Sequence, residues 1–286
     1  MTPEPDTGFA ERCRASCPGF RAIETLPARK SEVIAGEIDG APVVAKRLAR
    51  PNDVWAWYFA REIAIYRAFA ATPPPFRVPA MHAASDDVLI VERVRGAPLA
   101  TRRSPQASLA EPVLAAILAL RDRIATYEFP ATARPSPAVR SQLRARFLED
   151  PTSVTWIRDG ITRAARRKIL PVETATKIVM ALDDATAPSH GDLLLRNVIG
   201  PDIVLVDWEC AGPHLVDWDL ALLWTQLGAA QRPIVEAAAR GRGFLGLVAF
   251  ALAREVSFLH AFGKGPRHAS LSRITGELDD VCKRIG

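Results

Sequence analysis

An α+β fold is predicted: a small antiparallel-sheet region with one main helix over residues 21–95, then a larger, mostly helical region over 96–286. Three observations predict it. The first hundred residues hold short β-branched runs separated by turn signals, among them Asp39-Gly40, a strong hairpin turn. One long helical stripe follows those runs. Beyond Gly96 the apolar spacing is helical almost throughout, interrupted by one apolar hairpin near 198–206.

Residues 1–20 read as a poorly ordered lead-in. Strands are expected near 22–26, 33–38 and 43–48. In the last, Val44, Lys46 and Leu48 share one face and Val43, Ala45 and Arg47 the other, so one charge must lie on a largely apolar face. Asn52 or Asp53 can cap the next helix. Trp55, Phe59, Glu62, Tyr66 and Ala70 mark one face of it at three- and four-residue steps. Glu62 interrupts that stripe, so it is expected to be partly buried and to need a cation, either Lys46 or an arginine such as Arg61 or Arg67.

Pro73-Pro74-Pro75 ends the helix. Asp86-Asp87 turns into an apolar strand at 88–91, and Glu92-Arg93-Val94-Arg95-Gly96 leaves the sheet, which places a lobe boundary near Gly96. Leu109, Val113, Ile117, Leu120 and Ile124 mark a further helix. Others are expected near 138–149, 158–169, 172–184, 217–227, 233–240, 244–262 and 271–285.

With 286 residues, 49% of them hydrophobic and 24% charged, the chain can bury a sizeable core. No basic segment followed by an apolar run opens it, so no signal peptide is expected. The longest apolar stretch, 244–253, falls far short of the ~20 residues of a membrane span. Four cysteines (Cys13, Cys17, Cys210, Cys282) suit a reducing cytoplasm, and Cys13 and Cys17 lack the second pair that a zinc site needs. The net charge of +5 arises from residues 101–187, with 14 Lys/Arg against 9 Asp/Glu. Arg163, Arg166, Arg167 and Lys168 are the densest cluster, read as a solvated helix face. A nucleic-acid partner would call for interleaved aromatics or a binding motif, and neither is present.

Chemistry concentrates in Ser189-His190-Gly191-Asp192-Leu193-Leu194-Leu195-Arg196-Asn197 and the strand ending in Asp207. Gly200-Pro201-Asp202 marks the turn of a hairpin between them. If Ile199 faces Ile203, Asn197 faces Leu205, and Asn197 and Asp207 become diagonal neighbours about 7–8 Å apart. Two oxygen-bearing side chains at that distance can share one metal ion. Asp207 ends a run of four apolar residues, and a buried charge must be paired or bound to metal. Few protein oxygens suit Mg²⁺, which keeps several waters and leans on substrate phosphates. Asp192 lies five residues before Asn197, the spacing of the H-R-D-x-x-x-x-N loop of phosphoryl transfer.

These residues resemble the aminoglycoside phosphotransferase and choline kinase type of kinase-like enzymes. Their loop reads H-G-D-x-x-x-x-N, and their metal aspartate lies in an apolar-D-[WF]-E segment, here Val206-Asp207-Trp208-Glu209. A further family feature, a glycine followed by D-[LI]-A, lies between Gly212 and Ala221. The similarity is strong over roughly residues 188–222. It implies a protein-kinase-like two-lobed fold and Mg²⁺-dependent transfer of the γ-phosphoryl of ATP, or of GTP, to a hydroxyl of a small molecule.

On this resemblance Asp192 would be the base, Asn197 and Asp207 the Mg²⁺ ligands, and Lys46 the phosphate contact held by Glu62. The connection from Pro27 to Glu32, with Ser31, falls where such enzymes cover the ATP phosphates, although it has no glycine. Arg29 and Lys30 would either meet phosphate or lie in an exposed turn. Glu92 and Val94 would present backbone groups to adenine, and Asp219 would brace the catalytic loop. A protein kinase is opposed by Leu194, where Ser/Thr kinases usually carry lysine, and by the twelve-residue step from Asp207 to Asp219 without A-P-E. A catalytically inactive nucleotide-binding protein is opposed by the joint presence of base, metal ligands and lysine. The acceptor stays open. Five acids after Asp219 (Glu236, Glu255, Glu277, Asp279, Asp280) stand against nine Lys/Arg, and the last three would meet a polycation or lie on a solvated helix.

Overall fold

β-Branched runs and tight turns build the first layer. β1 (Phe20–Leu26), β2 (Ser31–Ile38) and β3 (Ala41–Leu48) form antiparallel hairpins. Asp39 and Gly40 close the second hairpin with φ of 50° and 79°, the left-handed pair that a two-residue turn demands. β4 (Met81–Ala84) and β5 (Leu89–Glu92) complete a sheet of order β1-β2-β3-β5-β4. The computed structural model describes residues 7–28, 30–49, 52–102, 105–262 and 268–285.

Residues 7–16 depart from the expected lead-in. They form α1 (Thr7–Ser16), whose Phe9 and Cys13 lie on one face and pack with Phe20, Ile34, Val43, Ala45, Val88 and Ile90. That sheet face would otherwise meet water, and two apolar side chains one turn apart suffice to cover it. Arg47 lays its guanidinium over Phe9, 4.6 Å from the ring centre.

α2 (Asp53–Ala71) starts at Asn52, whose side chain accepts the N–H groups of Val54 and Trp55. Phe59, Glu62 and Tyr66 of the expected stripe are buried, and so are Tyr58, Ile65 and Phe69, which line up with Glu62 at three- and four-residue steps and widen the buried face. The broad buried face follows from the position of α2 between the sheet and the helical lobe. Phe69 meets Trp208 edge-on at 5.0 Å, and Phe76 stacks on Trp208 at 5.6 Å.

The helical lobe holds α3 (Glu111–Ile124), α4 (Pro137–Arg146), α5 (Trp156–Arg166), α6 (Val172–Ala181), α7 (Trp218–Trp224), α8 (Arg232–Ala237), α9 (Phe244–Phe262) and α10 (His268–Ile285). Arg163 and Arg167 of the basic cluster stack on Phe147. Two small sheets carry the site. β7 (Thr186–Ser189) pairs antiparallel with β10 (Gly212–Leu215). β6 (Ala97–Pro98) pairs with β8 (Val198–Gly200), which pairs with β9 (Val204–Leu205). Among the described residues no helix is long and apolar enough to cross a membrane.

The β8–β9 hairpin has a different register from the expected one. Ile199 pairs with Val204 rather than Ile203, and the Asn197 carbonyl accepts the Val206 N–H. Ile203 stays in the turn with φ of 51°, so the ladder slips by one residue. Asp207 also has a left-handed φ, 67°, which re-aims its side chain at the end of the strand.

Candidate active site

β7 delivers the loop of residues 189–197, β10 pairs beside that entry strand, and the loop leaves through a 3-10 turn, Leu195–Asn197, into β8. His190 and Gly191 donate their N–H groups to the two carboxylate oxygens of Asp219, at 2.8 and 3.0 Å. The expected brace from Asp219 therefore takes the form of two buried hydrogen bonds. Burial raises the Asp219 pKa, against the two N–H donors and the His190 ring, which lower it. Gly191 has φ of 81°, and a Cβ there would lie 2.2 Å from the Cys210 carbonyl oxygen, so only glycine fits. His190 Nδ1 accepts the Asp192 N–H at 3.3 Å and Nε2 donates to the Val206 carbonyl at 3.1 Å, which puts the ring proton on Nε2.

Leu193, Leu194 and Leu195 are buried and anchor the loop in the core. Gln226, fully buried after α7, accepts the Leu195 N–H at 2.8 Å and donates to the Leu193 carbonyl. Sequence reasoning missed Gln226. Its only signal was an amide at the end of an otherwise apolar helix.

Asp192 is 8% exposed at the end of this scaffold. Asn197 Nδ2 donates to its backbone carbonyl at 3.0 Å and to its Oδ2 at 3.1 Å. Arg196 approaches the same Oδ2 at 3.5 Å, and Arg254 of α9 approaches Oδ1 at 4.0 Å. Arg254 is in turn paired with Glu149. Arg254 and Glu149 were also missed. Arg254 interrupts the apolar run of α9, the kind of signal that singled out Glu62.

On the other side, Lys46 Nζ lies 2.5 Å from Glu62 Oε2 and 2.7 Å from Asp207 Oδ1. Arg61, the alternative partner for Glu62, is committed elsewhere: it donates to the carbonyls of Glu209 and Ala211 and to Thr132. Lys30 pairs with Glu209 and stands over the Trp55 ring at 5.2 Å. Carboxylate oxygens of Glu62, Asp207 and Glu209 lie within 4.8 Å of one another. Burial opposes every charge here; the opposite charges outweigh it at Asp207 and Lys46, and burial wins at Glu62. Asp207 is held well below the usual carboxylate range by Lys46 and Lys30, against its burial. Lys46 is raised by Asp207 and Glu62, again against burial. Glu62, the most enclosed of the three acids, is pushed up to about 7 by burial, only partly offset by Lys46.

This donor set fits Mg²⁺, which takes oxygen ligands. Asp207 offers a carboxylate held ionised. Because Nδ2 of Asn197 is the atom turned to Asp192, its amide oxygen is the atom left for a cation. Glu62 and Glu209 were not assigned to the metal from sequence, yet they stand within reach of Asp207.

Ser31 opens β2 with its hydroxyl buried and without a hydrogen-bond partner among the described residues. Arg29 lies outside the described residues. Glu92 ends β5, and its N–H is already donated to the Ala80 carbonyl at 2.7 Å. Its carboxylate accepts from Arg77 and from the Ala80 N–H. The N–H of Glu92 is thus taken by Ala80, just before β4, which leaves its carbonyl as the backbone group available on that residue. Val94 is half-buried two residues beyond the strand.

Fold and site together define a two-lobed, protein-kinase-like phosphotransferase. The chain belongs to the phosphotransferase enzyme family, whose profile matches residues 33–255. No curated protein sequence matches the chain. Among solved structures it is similar to a macrolide 2'-phosphotransferase apoenzyme from Brachybacterium faecium, at 15% identity, with 95% of this chain and 98% of that one covered and a TM-score of 0.62. It is similar also to an aminoglycoside phosphotransferase in complex with ADP and hygromycin B, at 15% identity, with coverages of 98% and 99% and a TM-score of 0.60. A putative fructosamine-3-kinase from Thermobifida fusca matches at 19% identity, with coverages of 98% and 100% and a TM-score of 0.59.

Proposed function

We propose that the chain transfers the γ-phosphoryl group of ATP, or of GTP, to a hydroxyl of a small molecule in a Mg²⁺-dependent reaction. The observation that carries this reading is Lys46, bonded at once to Glu62 and Asp207, beside a loop on which Asn197 is bonded to Asp192. Residues 21–95 would hold the nucleotide, and residues 96–286 the catalytic loop and the acceptor.

Asp192 accepts the proton of the attacking hydroxyl. The acceptor oxygen bonds to the γ-phosphorus while the bond from that phosphorus to the β–γ bridging oxygen breaks, and the nucleoside diphosphate leaves. Lys46 orients the phosphates, and Ser31 meets them from the hairpin above. Asp207 and Asn197 would hold Mg²⁺, which when bound neutralises phosphate charge. Positioning and charge supply most of the rate in such a reaction. A protein substrate is disfavoured: the segment between Asp207 and Asp219 is taken up by a tight turn, β10 and the start of α7, which leaves no activation loop.

The C-terminal acids bear on the acceptor. Glu236 is paired with Arg284, Glu277 with Arg232 and Arg273, and Asp280 with Lys283. Glu236 and Glu277, already held by arginines, make a weaker receptor for a polycation, which favours neutral or singly charged hydroxyl compounds. A panel of hydroxyl metabolites and antibiotics, incubated with purified protein, ATP and Mg²⁺, tests this by phosphorylated product. Turnover is expected for a hydroxyl compound, and faster than for kanamycin. A panel that gives no product in any nucleotide would contradict the reading.

A further inference from the structure

A cation stands in the transfer centre that none of the roles above uses. Arg196 leaves the 3-10 turn Leu195–Asn197 four residues after Asp192, and its Nη2 lies 3.5 Å from Asp192 Oδ2. It shares that oxygen with the Asn197 amide. Its charge also reaches Asp207 across the site and helps to hold that carboxylate ionised. The Nε is buried without a hydrogen-bond partner among the described residues, while the side chain as a whole is 35% exposed. A charge-assisted N–H···O bond runs about 2.7–2.9 Å. The guanidinium is thus held at the base without being satisfied by it. Leu194, closer to Asp192 in the chain, is apolar and 2% exposed, so it supplies no charge. Lys46 and Lys30 are engaged by Glu62, Asp207 and Glu209.

We infer that Arg196 is a further catalytic residue whose guanidinium binds the oxygens of the phosphoryl group in transit. The inference rests on the reading of this centre as a kinase site. As the acceptor oxygen bonds to phosphorus, the electron pair of the breaking bond goes to the nucleoside diphosphate and the acceptor proton to Asp192. Negative charge is then spread over the equatorial oxygens, between Asp192 and Asp207. A planar guanidinium already standing there stabilises that charge without reorganising. Its loose pairing with Asp192 keeps it in place before the nucleotide arrives.

Calorimetric titration with Mg²⁺ and either AMP-PNP or ADP tests this on the parent chain, Arg196→Ala and Arg196→Lys. AMP-PNP carries the third phosphoryl group and ADP does not. Arg196→Ala is expected to weaken AMP-PNP binding about tenfold or more, the worth of one hydrogen bond to a charged group. Its ADP affinity stays unchanged, which also reports that the variant is folded, and Arg196→Lys falls between. Equal weakening of both ligands, or no loss for AMP-PNP, overturns the role of Arg196 and leaves the kinase reading standing. A parent chain that binds neither nucleotide overturns both.

Discussion

The ammonium of Lys46 lies 2.7 Å from Oδ1 of Asp207, 161 residues further along the chain. The same nitrogen holds Glu62 on α2. One enclosed cation therefore ties the sheet, its helix and the segment carrying Asp207 together, and the aromatic packing of Trp208 on Phe69 and Phe76 reinforces the same junction. Removing one partner from such a group leaves buried charge uncompensated, which is why its protonation is linked to folding.

Stability depends on pH through Glu62. Its carboxyl is raised from 4.5 to about 7, chiefly by burial. A raised acid binds its proton more tightly in the folded state, so its contribution is full below pH 4.5 and is lost as pH rises through 7. Asp207 is lowered and titrates outside this window. Urea unfolding of the parent relative to Glu62→Gln is expected to show a stability difference that falls between pH 4.5 and 8, by at most about 3 kcal/mol. A difference that is flat or grows with pH would contradict this origin.

Asp192→Asn keeps the shape of the loop and removes the proton acceptor. Transfer is expected to be abolished while ATP binding, followed by calorimetry, is largely kept. Full turnover in that variant would remove Asp192 from the role of base.

Asp219→Ala orphans the buried N–H groups of His190 and Gly191. Each unsatisfied donor costs about 1–3 kcal/mol. A lowered urea midpoint is expected, together with loss of transfer because the loop relaxes. A variant as stable and active as the parent would show that β7 and β10 alone hold the loop.

Much of this was legible from local pattern. The D-x-x-x-x-N spacing from Asp192 to Asn197, the apolar run before Asp207 and the polar breaks at Lys46 and Glu62 each report on a neighbour a few residues away. The misses have a common cause. α1 reads as polar because only Phe9, Ala10 and Cys13 are buried, and the sheet face that makes Phe9 and Cys13 a core lies beyond them in the chain. The hairpin slipped by one residue because Ile203 takes a left-handed φ that β-branched residues avoid, against its propensity.

Periodicity and spacing, which are properties of adjacent residues, determined the α+β class and singled out the loop that carries Asp192, and the motifs around that loop resembled those of the family. Only the tertiary structure decided the partners: that Lys46 bridges two carboxylates, that Glu209 takes Lys30, that Gln226 holds the loop, and that Arg196 and Arg254 face Asp192 from two sides. Buried charges must find opposite charges or hydrogen bonds wherever packing brings them, and packing joins segments whose separation along the chain carries no signal of their meeting.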